Sequence, residues 1–120
     1  SLTGQTAAEL AASYQETTKR GWTQPIGVAH ALFEAGVQAL KASGDPKSPG
    51  KVVESLRKLK TDTVIGGLDF GGSGIANVSK IRVVGGQWHV EDGGKPHLYI
   101  TSNSMAPEIK AERKLELLKS

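Results

Sequence analysis

Apolar positions near the start of the chain recur at helical spacing, as Ala7, Leu10, Ala11 and Tyr14. Thr6-Ala7-Ala8-Glu9 supplies a capping box at their head, in which Thr6 accepts from a free N–H and Glu9 reaches back. Lys19 and Arg20 suit the negative end of such a helix, and Gly21 can take a left-handed stop, so the pattern predicts a helix over 6–20. A second helix opens at Trp22-Thr23-Gln24-Pro25, capped by Thr23 or Gln24, with Pro25 in the first turn where no N–H is needed. Ile26, Ala29, Phe33, Val37 and Leu40 form one stripe on it. Val28, Ala31, Leu32, Ala35 and Ala39 fill most of the remaining circumference, which predicts a helix buried on several sides and ended by Gly44-Asp45-Pro46. Ser48-Pro49 opens a third helix, with Val52, Val53, Leu56 and Leu59 inward and Lys51, Glu54, Arg57 and Lys58 outward, stopping near Lys60.

Past Lys60 the period changes. Residues 66–94 hold nine of the fifteen glycines, and the pattern turns to strands and turns. Thr63-Val64-Ile65 and Leu68-Asp69-Phe70 read as a strand interrupted by Gly66-Gly67, and Gly71-Gly72-Ser73-Gly74 as a hairpin loop. Val78 to Val84 alternates as a further strand. Gly85-Gly86 marks a bulge before Gln87-Trp88-His89-Val90, and Glu91-Asp92-Gly93-Gly94 a turn from which His97 to Thr101 pairs back, setting His89 opposite His97. From Ala106 onward the chain either opens a short helix at Pro107-Glu108, running to Leu118, or lies extended. The expected organisation is therefore α/β: residues 1–61 mainly helical, 62–104 strands and hairpins, and 105–120 a charged tail.

Composition narrows the classes. Leu, Ile, Val and Phe make up 28 of 120 residues, 23%, above the roughly 20% below which charged chains stay disordered. Aromatics are only 5%, so any core is aliphatic. No apolar run approaches the ~20 residues of a membrane span. The absence of cysteine excludes disulfides, a thiol nucleophile and Cys-ligated metals. The net charge of +3 is small, and the densest basic stretch, Lys51, Arg57, Lys58 and Lys60, includes Glu54 and no aromatic. It reads as a solvated helix face, so no nucleic-acid partner is expected. Ser1-Leu2-Thr3-Gly4 carries no initiator Met and no leader pattern follows it. The expectation is a removed leader or a start inside something larger.

Few constellations carry chemistry. Gly71-Gly72-Ser73-Gly74 lacks the Lys and Ser/Thr that a P-loop places at its end, and it leads toward a strand rather than a helix. His30, His89 and His97 show no paired metal-ligand spacing, so no metal is expected. His30, on an apolar helix, reads first as a hydrogen-bonded core residue. No Gly-x-Ser-x-Gly elbow occurs, and Asp62, Asp69, Glu91 and Asp92 sit at turns with no positioned nucleophile, so catalysis and a cofactor are not expected. Trp22-Thr23-Gln24-Pro25-Ile26 is the best candidate site. A helix start aims free N–H groups at what lies beyond it, Trp22 offers an apolar wall, and the Gln24 amide both donates and accepts. These suit a small carboxylate; the competing reading is that Trp22 packs in the core and Gln24 only caps.

The order of these pieces resembles a known family. The run from Trp22 to Glu34, then Pro49 to Lys60, Thr61 to Phe70, and Val84-Gly85-Gly86-Gln87-Trp88, is similar to the C-terminal part of type 1 periplasmic binding proteins, in particular the branched-chain-amino-acid-type substrate-binding proteins of ABC transporters. Leu2-Thr3-Gly4-Gln5-Thr6 and Ala106-Pro107-Glu108-Ile109 fit the same pattern. The resemblance implies a two-lobed α/β protein that closes on a solute by a hinge and hands it to a membrane permease. It further implies a periplasmic location and an amino acid or organic, including aromatic, carboxylate as ligand. Carried onto this sequence, it makes Trp22, Gln24, Pro25 and Ile26 pocket residues, with His30 one turn further in. Family members are longer, and the chain corresponds to their final third. It is thus expected to be a fragment that binds weakly or not at all alone, its apolar faces covered by the missing N-terminal part or by self-association. The alternatives are a ligand-sensing module of a signalling receptor and a self-associating fragment without ligand.

Overall fold

A computed structural model describes residues 2–117. The chain is mixed α/β, with three helices and two separate two-stranded antiparallel sheets among the described residues. It divides into two compact units, one ending at Ile81 and the other beginning at Arg82.

The first unit opens with α1, Ala7–Thr18, and its capping box forms as the sequence predicts. Glu9 N–H donates to Thr6 Oγ1 at 3.2 Å, and Thr6 N–H donates to Glu9 Oε2 at 2.8 Å. The stop comes earlier than Gly21. Lys19 takes the left-handed conformation, φ 57°, and its N–H closes on the Gln15 carbonyl at 2.9 Å. α2, Gln24–Ala42, starts at Thr23 with Pro25 in its first turn, and α3, Pro49–Arg57, starts at Ser48.

The buried side of α2 differs from the stripe of large residues that the pattern suggested. It consists of Gly27, Ala31, Glu34, Ala35 and Ala39, while Phe33 is 75% and Leu32 72% exposed. The small residues let neighbouring elements approach closely. One such approach is fixed by Ser55 Oγ of α3, which donates to the Ala39 carbonyl at 2.8 Å. Large side chains on that side would hold α3 away.

After α3 the chain forms a hairpin of β1, Lys60–Thr63, and β2, Gly66–Asp69, in the register Thr63↔Gly66 to Lys60↔Asp69. What reads in sequence as one strand broken by Gly66-Gly67 is thus two strands joined at Val64-Ile65. Gly66 at φ +108° takes a conformation that a β-branched residue avoids, and Thr63 Oγ1 donates to its carbonyl at 2.8 Å. Leu59 and Leu68 meet Ala35 in a small core, with Phe70 and Ile81 against it. Phe70 N–H donates to the Leu59 carbonyl, and Asp69 N–H to Ser79 Oγ.

Residues 78–84 form no strand, although they alternate in polarity, and residues 71–74 join no pair of strands. Alternation only offers one face to a core. A strand also needs a neighbour for its N–H and C=O groups, and the described sheets pair β1 with β2 and β3 with β4 alone.

The second unit is a hairpin of β3, Gly85–Val90, and β4, Pro96–Ser102, with the anticipated irregularity between Gly85 and Gly86. The tail from Pro107 forms no helix through Leu117; Leu118, where the anticipated helix ended, and Ser1 lie outside the described residues. The tail instead runs against the hairpin. Ile100 N–H donates to Glu112 Oε2 at 2.8 Å, and Glu112 N–H returns to the Ile100 carbonyl at 2.7 Å. The Gln87 amide acts like a strand partner for Glu116, accepting its N–H at 3.0 Å and donating to its carbonyl at 2.7 Å. No described helix is long and apolar enough to cross a membrane.

Candidate functional site

The start of α2 is held by aromatic packing. Trp22 is half-buried and meets Tyr14 of α1 edge-on, ring centroids 5.9 Å apart at 77°. Its Cζ2 lies 3.2 Å from where a Cβ on Gly27 would stand, and Ile65 Cγ2 is 3.6 Å from the same point. Trp22 therefore joins α1 to α2 at Gly27, a point that Ile65 of the β1–β2 turn also approaches. Thr23, extended at φ −135°, makes no side-chain cap bond, while its carbonyl accepts the Ile26 N–H at 3.0 Å.

Of the five residues predicted from sequence, the structure brings two together. Gln24 and Pro25 are exposed and line an open groove of about 440 Å³ with Val28, Ala29 and Leu32. Trp22, Ile26 and His30 are half-buried and do not line it. The groove offers an apolar floor, one amide that both donates and accepts, and an adjacent helix start. That combination suits the apolar body of a small ligand with a polar end near Gln24.

His30 instead stands beside a residue that the sequence reading passed over. Glu34 is 3% exposed and accepts two backbone N–H groups, Leu2 to Oε1 at 2.8 Å and Val64 to Oε2 at 2.9 Å. His30 Nε2 lies 3.9 Å from Oε1. Burial pushes the carboxyl pKa up, but the Val64 and Leu2 donors, with His30 beside them, outweigh burial and hold it below its ordinary value. The signal was present in the sequence: Glu34 is the one carboxylate of a helix otherwise made mostly of small and apolar residues. An acid kept in such a setting is usually a buried acceptor.

The glycine-rich segment is closed to an anion by its own chain. Asp69 Oδ1 accepts the Gly71 N–H at 3.1 Å and the Gly72 N–H at 2.8 Å, and Lys60 Nζ lies 3.4 Å from Asp69 Oδ2. Two donors that a phosphate would use, the Gly71 and Gly72 N–H groups, already face a carboxylate.

The β3–β4 hairpin gathers a second polar cluster. His89 and His97 are directly opposed, as the sequence pattern suggested. Tyr99 packs against both rings, at 5.7 Å and 4.4 Å, and Arg113 of the tail lies 4.0 Å over its face. Tyr99 Oη donates to Glu91 Oε1 at 2.6 Å, and Arg113 Nη2 lies 3.5 Å from the same oxygen. The Tyr99 hydrogen bond holds the Glu91 carboxyl below its ordinary pKa and raises that of the Tyr99 hydroxyl. His89 Nε2 is enclosed without a hydrogen-bond partner. Among the described residues no group of three or more His, Cys, Asp or Glu could hold a metal ion.

No protein-family model, curated protein or solved structure matches the chain.

Proposed function

We propose that the chain is the closing part of a two-lobed, type 1 periplasmic solute-binding protein, of the kind that serves ABC importers. In this reading it is not an enzyme. It contributes the α2 start, with Gln24 and Pro25, to a pocket for an amino acid or a small organic carboxylate, and a membrane permease receives the solute.

The observation that carries this reading is the amount of apolar surface the chain leaves uncovered. Its solvent-accessible surface is 9046 Å². A compact monomer of this mass exposes about 6,200 Å², and two separate compact units of these sizes about 7,400 Å². The buried apolar residues are mostly alanines, and Val28, Leu32, Phe33, Val37 and Leu40 of α2 all stand open. The β3–β4 sheet has two strands, and such a hairpin on its own is marginally stable at best. A covering partner, whether the rest of the same protein or another copy, accounts for all three features. The order of elements that carries the family resemblance supports the solute-binding part of the reading.

The reading frame upstream of Leu2 is the test. A secretory signal followed by alternating strands and helices, with no membrane-spanning or signalling domain, is the expected result. A start codon immediately before the chain, or a fused signalling domain, overturns the importer reading. In the longer protein, titration calorimetry against amino acids and aromatic acids is expected to give saturable heat that Gln24→Ala weakens. The 120-residue chain alone is expected to give little or none.

A further inference from the structure

The outer face of α2 is a stripe that repeats itself when read backwards. Its exposed members fall at positions 25, 28, 29, 32, 33, 36, 37 and 40, which are symmetric about the point between Leu32 and Phe33. The side chains are symmetric too. Leu32 faces Phe33 as large against large, Ala29 mirrors Gly36 as small against small, and Val28 mirrors Val37. Pro25 and Leu40 close the two ends. The stripe carries no charge over about 24 Å of helix, because Glu34 points inward and Lys41 lies beyond its end.

We propose that this face binds the same face of a second copy of the chain, as an antiparallel helix pair about a two-fold axis through the Leu32–Phe33 step. A two-fold contact must place one patch against itself, and few patches are complementary to themselves. In this pair Ala29 of one copy meets Gly36 of the other and leaves hollows into which the partner's Leu32 and Phe33 fit. Nothing occupies the space beside Gly36, where a Cβ would have no neighbour within 4 Å. No like charges meet across the axis, even though each chain carries +3 overall.

The area suffices for a reversible dimer. Leu32 and Phe33 are 72% and 75% exposed, and Val28, Val37 and Leu40 are 45%, 40% and 43% exposed. With about 150–200 Å² for each large side chain, these five offer about 400–550 Å² per copy. A pair therefore buries about 800–1,100 Å² at most, the size of a weak, transient contact, so pairing is expected only at high micromolar concentration. This inference does not depend on a solute.

The test uses the full 120-residue chain, which has no cysteine of its own. Ala29→Cys and Gly36→Cys variants are made separately, and oxidation of their mixture is compared with oxidation of each alone. In the proposed register residue 29 faces residue 36 of the partner, so the mixed disulfide is expected to dominate. Self-linkage is expected to be slow, because identical positions lie about 10 Å apart, beyond disulfide reach. Sedimentation velocity from micromolar to several hundred micromolar is expected to show a monomer–dimer equilibrium. Leu32→Glu, at an exposed position, weakens it at least about tenfold while leaving the helical circular dichroism unchanged, and Leu115→Glu, outside the stripe, does not. A wild-type chain that stays monomeric throughout overturns the proposal. So do open-ended oligomers, equal cross-linking of all cysteine combinations, and a dimer indifferent to Leu32→Glu. If Leu32→Glu unfolds the chain, the cross-linking pattern decides alone.

Discussion

Replacing Glu34 with Ala removes the acceptor for two backbone N–H groups at once, Leu2 and Val64, both bonded at under 3 Å. An enclosed donor left without a partner costs about 1–3 kcal/mol. Leu2 and Val64 are half-buried, so water recovers part of each bond, and the deletion also relieves the cost of burying a carboxylate. The net expectation for Glu34→Ala is about 2–3 kcal/mol, which at the scale of an ~80-residue unit lowers Tm by about 10–20 °C. Glu34→Gln keeps the volume and one oxygen but turns an amide N–H toward the other donor, and is expected to fall between wild type and Ala. The sign of the pH effect follows from the depressed carboxyl pKa. The folded state binds this proton less readily than the unfolded chain, so the stabilisation is complete above the ordinary carboxylate value and is lost as pH falls through the folded one. Thermal unfolding followed by circular dichroism from pH 7 to pH 3 measures both effects. Wild type should lose more stability below pH 4.5 than Glu34→Gln, which has no proton to take up there. A Glu34→Ala chain within about 0.5 kcal/mol of wild type at pH 7 would refute the role given to the two N–H bonds. Identical acid sensitivity of wild type and Glu34→Gln would refute the linkage.

Three further outcomes follow from local geometry. Thr6→Ala removes the capping box of α1, which has no buried residue to compensate, so helicity measured by circular dichroism should fall with a loss of about 1 kcal/mol. Gly27→Val places methyl groups where Trp22 Cζ2 and Ile65 Cγ2 already stand, and should cost about 1–3 kcal/mol and shift Trp22 fluorescence toward that of a solvated indole. Tyr99→Phe removes the hydroxyl that holds Glu91 below its ordinary pKa, so an NMR titration should find the Glu91 midpoint raised toward the usual carboxylate range.

Local signals in the sequence transferred well to the structure. Thr6 and Glu9 form their box, Pro25 and Pro49 sit in first turns, and His89 faces His97, because each depends on a few neighbouring residues. The sequence failed where the answer depended on which residues meet across the chain. Hydrophobic periodicity identified α2 but assigned its large residues to the inside. Close approach by α3, with Ser55 bonded to the Ala39 carbonyl, requires the small ones there instead. Alternation at 78–84 promised a strand, but among the described residues those positions pair with none. The Val64-Ile65 turn was hidden because β-branched residues so seldom make turns, while Gly66-Gly67 drew attention away from it. Of the candidate site, residue types left two readings of Trp22 open, a pocket wall or a packed side chain, and did not show that Tyr14 and Gly27 are what it meets.

The two proposals make opposite demands on α2. If the chain closes a two-lobed binding protein, the Leu32–Phe33 face is the surface available for the other elements to cover, and it is then absent from any contact between copies. If the chain exists alone, that face remains open and its internal symmetry drives pairing. The Ala29→Cys and Gly36→Cys mixture therefore reports on both situations. It should cross-link in the 120-residue chain and stay reduced in a longer protein whose lobes cover α2. Cross-linking in the longer protein would mean that α2 remains outside the lobes. The uncovered surface would then argue for assembly of copies, not for a missing portion of the fold.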